Sequence, residues 1–451
     1  MFNRITSGKS AEISKMKSIK LKNGSAQRNG RLFQKTAAHL ARVVLFLGAV
    51  FMCSSQAQEL NQVRDGYETV IEKSFQVSSG GELLMQRTSG DVLITGWEKN
   101  EVHVKYNLRM EVLTETEAMK MATEAAENFT QSDSRVSIEG VGRRASARSK
   151  FVINVPKNFS IDVRSSSGDV EVEDVSGKFD LTTAGGEVAM YRLKGNVKFR
   201  TSGGNITLEE IQGPVRGSTS GGSIRVDNVD GETDVKTSGG DIRVRDVKKN
   251  IAVHTSGGNI ALEDVLGEIE ARTSGGWIRA RNCKQNTRLR TSGGDIRLST
   301  MGGEVRANTS GGDIDGEGFG NEVSVSTSGG DIILKDVKSA VEASTSGGDI
   351  EMEMTLEDFT KSHWVDLRSR GGDVQAILPA DLPASIVAEI RLERLKRYSQ
   401  RYDILSDFPL SREQEEEGDF KTLRAKGEIN GGGDSVYIFT INGEITIKKG
   451  N

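Results

Sequence analysis

Between residues 165 and 351 apolar and polar positions alternate in a pattern that recurs every eighteen positions. Counted from the residue that opens each repeat, apolar side chains fall in columns 6, 8, 11, 15 and 17; in the repeat from Thr237 these are Ile242, Val244, Val247, Ile251 and Val253. Alternation within columns 6–8 and 15–17 is the period-two signature of a half-buried strand. The step of three from column 8 to column 11 demands a bend that restores inward parity. Each repeat thus predicts one coil with two main strands.

Tetrads of Thr-Ser-Gly-Gly character open these coils at Ser165, Thr183, Thr201, Thr219, Thr237, Thr255, Thr273, Thr291, Thr309, Thr327 and Thr345. A period that never slips implies coils stacked directly on one another, because an insertion would break the side-chain ladders between them. The expected fold is an all-β parallel β-solenoid (β-helix), right-handed by crossover chirality. With strands about 4.8 Å apart, the array would form a rod on the order of 50 Å long. The Gly pair in columns 3 and 4 is expected at a corner where positive φ or tight stacking excludes a side chain.

The flanks divide the chain into a leader (1–57), an N-terminal β-rich cap (58–164), the regular coils (165–351) and irregular last coils with a β-rich C-terminal cap (352–451). Strand-like alternation runs from Tyr67 to Tyr106 and resumes at Arg135–Ile138 and Lys150–Val155. Between them, 114–129 predicts an amphipathic helix with Thr114 and Glu117 as a capping box and Ala118, Met121, Ala122, Ala125 and Phe129 on one side. After Thr345 the next match, Ser369-Arg370-Gly371-Gly372, comes six positions later than the period requires, which places the extra chain around Leu356 to Trp364. Ser385 to Leu392 reads as a strand, followed by the basic stretch Arg391, Arg394, Lys396 and Arg397. Glu413 to Glu417 reads as an acidic loop, and Asn430-Gly431-Gly432-Gly433-Asp434 as a last return of the coil motif.

The leader changes the charge balance. It holds ten of the 60 basic residues and one of the 64 acidic ones, then the apolar run Val43 to Met52 and Cys53-Ser54-Ser55-Gln56-Ala57. That order reads as a secretory signal, with cleavage after Ala57. An uncleaved anchor, lipidation of Cys53 and a start at Met16 are the alternatives. Without the leader the formal charge moves from −4 to −13, which argues against nucleic-acid binding. Cys283 then stands alone, so stability must come from the stacked core and not from a disulfide. The expected compartment is the periplasm, outer membrane or cell surface.

Thr88-Ser89-Gly90-Asp91-Val92 with Gly96-Trp97, the strand Phe151–Pro156, the coils and Gly431-Gly432-Gly433 together resemble the bacterial putative-adhesin family of domains of unknown function, whose members carry GGDI-type repeats behind a signal peptide. The resemblance covers most of the chain beyond the leader. It implies envelope exposure and supplies no catalytic residues.

The calcium-binding β-roll uses coils of this same length, but with two Gly-rich turns per coil and its Asp differently placed. Here column 5 varies through Asp241, Asp295, Asn205, Ser223 and Trp277, so it is read as a turn position, and no metal or cofactor is expected. Column 1 shares inward parity with columns 15 and 17, which points the Thr hydroxyls into a hydrogen-bonded ladder. Cys283 sits in apolar column 11 and His254 in outward column 18. One stretch loses charge balance: Arg272, Arg279, Arg281, Lys284, Arg288, Arg290, Arg297 and Arg306 face only Asp295 and Glu304 within it. Stacking sets Arg279 beside Arg297, Arg288 beside Arg306 and Arg272 beside Arg290, and a like-charge pair across strands is ordinarily destabilising. The patch spans two opposite sheets.

These features predict a non-enzymatic, adhesin-like binding or scaffolding module. Its partner would be an anionic glycan, lipopolysaccharide, lipid phosphate or envelope protein. It would meet a membrane only through an uncleaved signal anchor or a lipidated Cys53. A self-assembling or partner-binding envelope protein is the alternative. A polysaccharide lyase or hydrolase comes third, since uniform coils and four His leave no evident catalytic cluster.

Overall fold

Two parallel ladders carry the fold. The computed structural model describes residues 59–141, 145–146, 148–393, 402–417 and 420–450. The leader with Cys53, and Arg394, Lys396 and Arg397, lie outside them. In the coil from Thr237 the strands are Ile242–Val247 and Ile251–His254. They pair in parallel with the next coil at Ile242↔Ile260 and Ile251↔Ile269, an offset of one repeat. All five apolar columns point inward: Ile242, Val244, Val247, Ile251 and Val253 are buried. Each such side chain is worth about 1.5–3 kcal/mol relative to exposure.

The parity step is made by one residue. Column 10 adopts the left-handed conformation in successive coils, with φ between 52° and 59° from Asp174 to Asn282, and Thr300 and Asp336 close by at 57° and 50°. Asp and Asn dominate the column because their short polar side chains tolerate that region best. In the coil from Thr309 the position is Gly318, with φ 79°.

At the tetrad corner the two glycines differ. A Cβ on Gly258, in column 4, would lie 2.0 Å from the Gly240 carbonyl oxygen of the coil before, so close backbone approach requires glycine there. A Cβ on Gly257, in column 3, would meet nothing nearer than 3.6 Å. Neither has positive φ. The Thr side chains are buried, but they do not bond to each other. Thr255 Oγ1 donates to Gly240 O at 2.9 Å and accepts from Gly258 N at 3.2 Å, locking its own corner to the preceding one.

The regular count fails where the sequence predicts. Val365–Arg368 stacks on Val341–Ser344 after a longer step than elsewhere, leaving 355–364 outside the ladders. His363 buries its ring there, with Nδ1 2.8 Å from Lys361 O and Nε2 3.0 Å from Pro383 O.

Two readings of the C-terminal region are corrected. Asn430 to Asp434 is not a coil corner; Asn430, Gly431 and Gly432, at φ 50°, 93° and 76°, turn the chain from Phe420–Ile429, antiparallel to Ala384–Glu393, to Asp434–Ile441, which runs parallel on the other edge of that strand. The last corner is Thr440-Ile441-Asn442-Gly443. Thr440 Oγ1 donates to Gly372 O at 2.7 Å, and a Cβ on Gly443 would fall 2.2 Å from that same oxygen. Glu413 to Glu417 belongs to a strand, Ser411–Glu417, which pairs on one side with Phe420–Ile429. Its carboxylates discourage further strand addition.

At the other end, Gly81–Thr88 and Asp91–Trp97 form a coil beneath Phe159–Ser165 and Val170–Glu173. Beyond it lie antiparallel pairings of Glu101–Met110 with Lys150–Pro156 and with Gly66–Gln76. The helix Glu115–Glu127 packs here through Ala118, Met121, Ala122 and Ala125, and Thr114 Oγ1 accepts from Glu117 N at 3.3 Å. Tyr106 stacks on Phe151 with ring centroids 3.8 Å apart; its burial pushes the phenol up to about 12.

Candidate functional site

Column 5 defines the outer rim of the first ladder. Its side chains accept the amide of the next coil's column-5 residue: Asn259 N donates to Asp241 Oδ1 at 2.7 Å, Asp331 N to Asp313 Oδ1 at 2.9 Å and Glu444 N to Asp373 Oδ1 at 2.7 Å. The conspicuous Asp of each Gly-Gly-Asp is therefore an inter-coil tie. Among the described residues no group of three or more His, Cys, Asp or Glu is placed to hold a metal ion.

On the second ladder, outward columns 14 and 16 stand on either side of inward column 15. From Asn196 to Arg306 they border a groove of about 700 Å³ that runs across seven coils, floored in part by Val215, Thr233, Ile251, Ile269 and Thr287. Most charges along it are balanced, as Arg216 is by Asp234 at 3.4 Å.

The predicted basic residues separate into two groups. Arg279, Arg281 and Arg297 stand on the first ladder, with Arg279 paired to Arg297 across strands. Arg272, Arg288, Arg290 and Arg306 stand on the second, as Arg272↔Arg290 and Arg288↔Arg306. Lys284 lies between the ladders, just beyond the strand Ile278–Cys283. The patch is therefore two surfaces.

Carboxylates neutralise much of it, and three of them, Glu263, Glu270 and Asp315, reach it from outside the stretch, which a count inside it does not capture. Glu263 bonds Arg281 and raises the pKa of its guanidinium, while Glu270 pairs with Arg272. Arg297 lies 3.5 Å from Asp295 and 3.6 Å from Asp315, and Arg306 lies 2.7 Å from Glu304. Among the described residues no carboxylate is within 4 Å of Arg279, Lys284, Arg288 or Arg290. Arg288 and Arg290, two positions apart on one face, are the second-ladder members without an ion pair; Glu270 stands across the strand from Arg288 but is paired with Arg272, and Arg288 borders the groove.

Cys283 and His254 take structural places. Cys283 is buried, with Sγ 3.6 Å from Arg281 O, and burial pushes its thiol up to about 12, so it is a core side chain and not a nucleophile. His254 is exposed.

A family model described as Toastrack DUF4097 matches residues 82–315 and again 250–448. Among solved structures, a putative adhesin from Bacteroides fragilis NCTC 9343 is 14% identical, covering 59% of this chain and 97% of its own, with a TM-score of 0.25. A putative cell adhesion protein from Clostridium sporogenes ATCC 15579 is 10% identical, covering 84% of this chain and 100% of its own, with a TM-score of 0.15. No curated protein matches the sequence.

Proposed function

The chain belongs to the Toastrack DUF4097 family, and we propose that it works as an exported, non-enzymatic β-solenoid whose second ladder binds a linear anionic glycan. The observation that carries this reading is the pair Arg288 and Arg290, without an ion pair among the described residues, with Arg288 bordering an axial groove that crosses seven coils. Like charges stacked about 5 Å apart are unfavourable unless a counter-charge meets them, and a guanidinium offers carboxylate or sulfate a bidentate partner. A groove parallel to the axis favours an extended chain over a compact headgroup.

Acid–base chemistry has little support in these residues. The acids nearest the two arginines, Glu270 and Glu304, are engaged by Arg272 and Arg306. Export rests on the order of basic, apolar and small residues in the leader. Among the described residues no helix is long and apolar enough to cross a membrane.

The test is an array of anionic and neutral glycans probed with the purified protein at low and high salt. Binding to anionic glycans should weaken with salt and fall by about ten-fold or more in the Arg288→Glu plus Arg290→Glu variant. Equal binding by that variant removes the cluster from the reading. Preference for vesicles of anionic phospholipid over every glycan would replace the glycan with a lipid headgroup.

A further inference from the structure

Column 5 holds a hydrogen-bond acceptor in the coils on either side of one exception. Asn259 and Asp295 accept the amides of Trp277 and Asp313 at 3.0 and 3.1 Å, but Trp277 itself offers the next coil no acceptor. Its indole is also 37% exposed, in a row otherwise built from polar side chains. The position therefore forgoes a ladder bond and leaves a large aromatic in water, two features that stability alone does not favour.

The surroundings give the ring a purpose. Arg279 places its guanidinium 5.2 Å from the indole centroid. On the adjoining strand the partner of Arg279 is Ala261, whose partner on its other side is Arg243. Arg243 and Arg279 thus stand two strands apart, about 9–10 Å, on either side of a residue that projects only a methyl group. Among the described residues neither has a carboxylate within 4 Å, whereas the next outward column is paired, Arg245 with Asp227 and Arg281 with Glu263. The result is a notch one coil wide, with cationic walls, a small floor and an aromatic corner.

We propose that this notch binds one acidic pyranose residue, its C–H face on Trp277 and its carboxylate between Arg243 and Arg279. An indole face suits the apolar side of a sugar ring, and guanidinium groups pair with carboxylate directionally. The site lies on the first ladder and does not depend on Arg288 and Arg290.

Titration with oligogalacturonate and with its methyl ester, which keeps the ring and removes the charge, separates the two contributions. The acid should change the tryptophan fluorescence of the full chain, and the ester should bind about ten-fold more weakly or less. Trp277→Asn restores the acceptor found at Asn259, so in the Arg288→Glu plus Arg290→Glu background, where only the notch is left to bind, it should lose binding, read by calorimetry, without a fall in Tm. Arg243→Gln plus Arg279→Gln should weaken binding by about ten-fold or more, with Trp277 still in place. Arg288→Glu plus Arg290→Glu should leave the fluorescence response intact, so failure on the second ladder and failure here are told apart. Equal affinity for acid and ester, unchanged binding by Trp277→Asn, absence of any response in the unmodified chain, or tighter binding of a mononucleotide would each overturn the proposal.

Discussion

Gly257 and Gly258 are adjacent and identical in chemistry, yet alanine should act on them with opposite sign. At Gly258 the new Cβ would start 2.0 Å from Gly240 O and 2.4 Å from Gly240 C, so the two coils must part by more than an ångström at that corner. Three of the bonds that tie the corner to the coil before are Thr255 Oγ1 to Gly240 O at 2.9 Å, Gly257 N to Ser238 O at 3.0 Å and Asn259 N to Asp241 Oδ1 at 2.7 Å. Losing them at about 1 kcal/mol each, with about 1–3 kcal/mol for overpacking, gives a destabilisation of roughly 4–6 kcal/mol. At Gly257 the nearest atom is 3.6 Å away and φ is not positive. Gly257→Ala should therefore stabilise by about 0.4–1 kcal/mol, through the unfolded chain. Urea unfolding followed by circular dichroism measures both, with amide exchange at the neighbouring coils as a local readout because stacked repeats need not unfold in one step. If the two variants differ by less than about 1 kcal/mol, close backbone approach is not why column 4 is glycine.

Thr255→Val, close in shape but without the hydroxyl, should leave the buried Gly240 carbonyl short of a donor and cost about 1–3 kcal/mol, while Thr255→Ser should cost less; thermal melts compare them. Thr300 holds φ 57° with a β-branched side chain, so Thr300→Asn should raise stability by about 1 kcal/mol, read from the urea midpoint. Cys283 has its thiol raised from 9.0 to about 12 by burial. Because the folded value is the raised one, its contribution is intact below about pH 9 and is lost as pH climbs toward 12, at about 1.4 kcal/mol per pH unit. Cys283→Ala should flatten the alkaline fall in Tm, and the native thiol should resist a disulfide reagent that modifies the unfolded chain.

The coil is legible in the sequence because every column meets the same environment in each repeat. Apolar columns 6, 8, 11, 15 and 17 and the buried Thr of column 1 need only a period to be recognised, and the helix Glu115–Glu127 declares itself through Thr114 and its apolar face. The last coil, Val436–Phe439 on Val365–Arg368 and Ile445–Gly450 on Val374–Pro379, is legible as strands, but its corner is misplaced in the sequence for a physical reason. Thr440 stacks on a coil whose corner begins at Ser369, but the chain between them makes the strands from Ala384 to Ile429, so spacing no longer reports position. The acidic run Glu413 to Glu417 carries no apolar alternation, because an outer edge strand can take its hydrogen bonds from one neighbour and leave charge in water. Column 10 does carry a usable signal, its Asp and Asn content, which marks left-handed backbone.

The basic stretch shows the limit more sharply. An excess counted along the chain omits Glu263, Glu270 and Asp315, which reach it from neighbouring strands and quench part of it. The notch of Arg243, Ala261 and Arg279 is invisible to such a count, since its defining element is a missing side chain across the ladder.

The strict return of every column in each successive coil also makes the array divisible. Excising Thr201–Ser218 would join Arg200 to Thr219 with each inward position still inward, and would bring the notch, with Arg243, Ala261, Trp277 and Arg279 all kept, one strand spacing, about 4.8 Å, nearer the N-terminal cap. Duplication or loss of one repeat in the gene would thus shift the distance between a surface feature and either end in fixed increments while leaving the feature intact. Selection could set reach by whole steps, without redesigning the part that recognises.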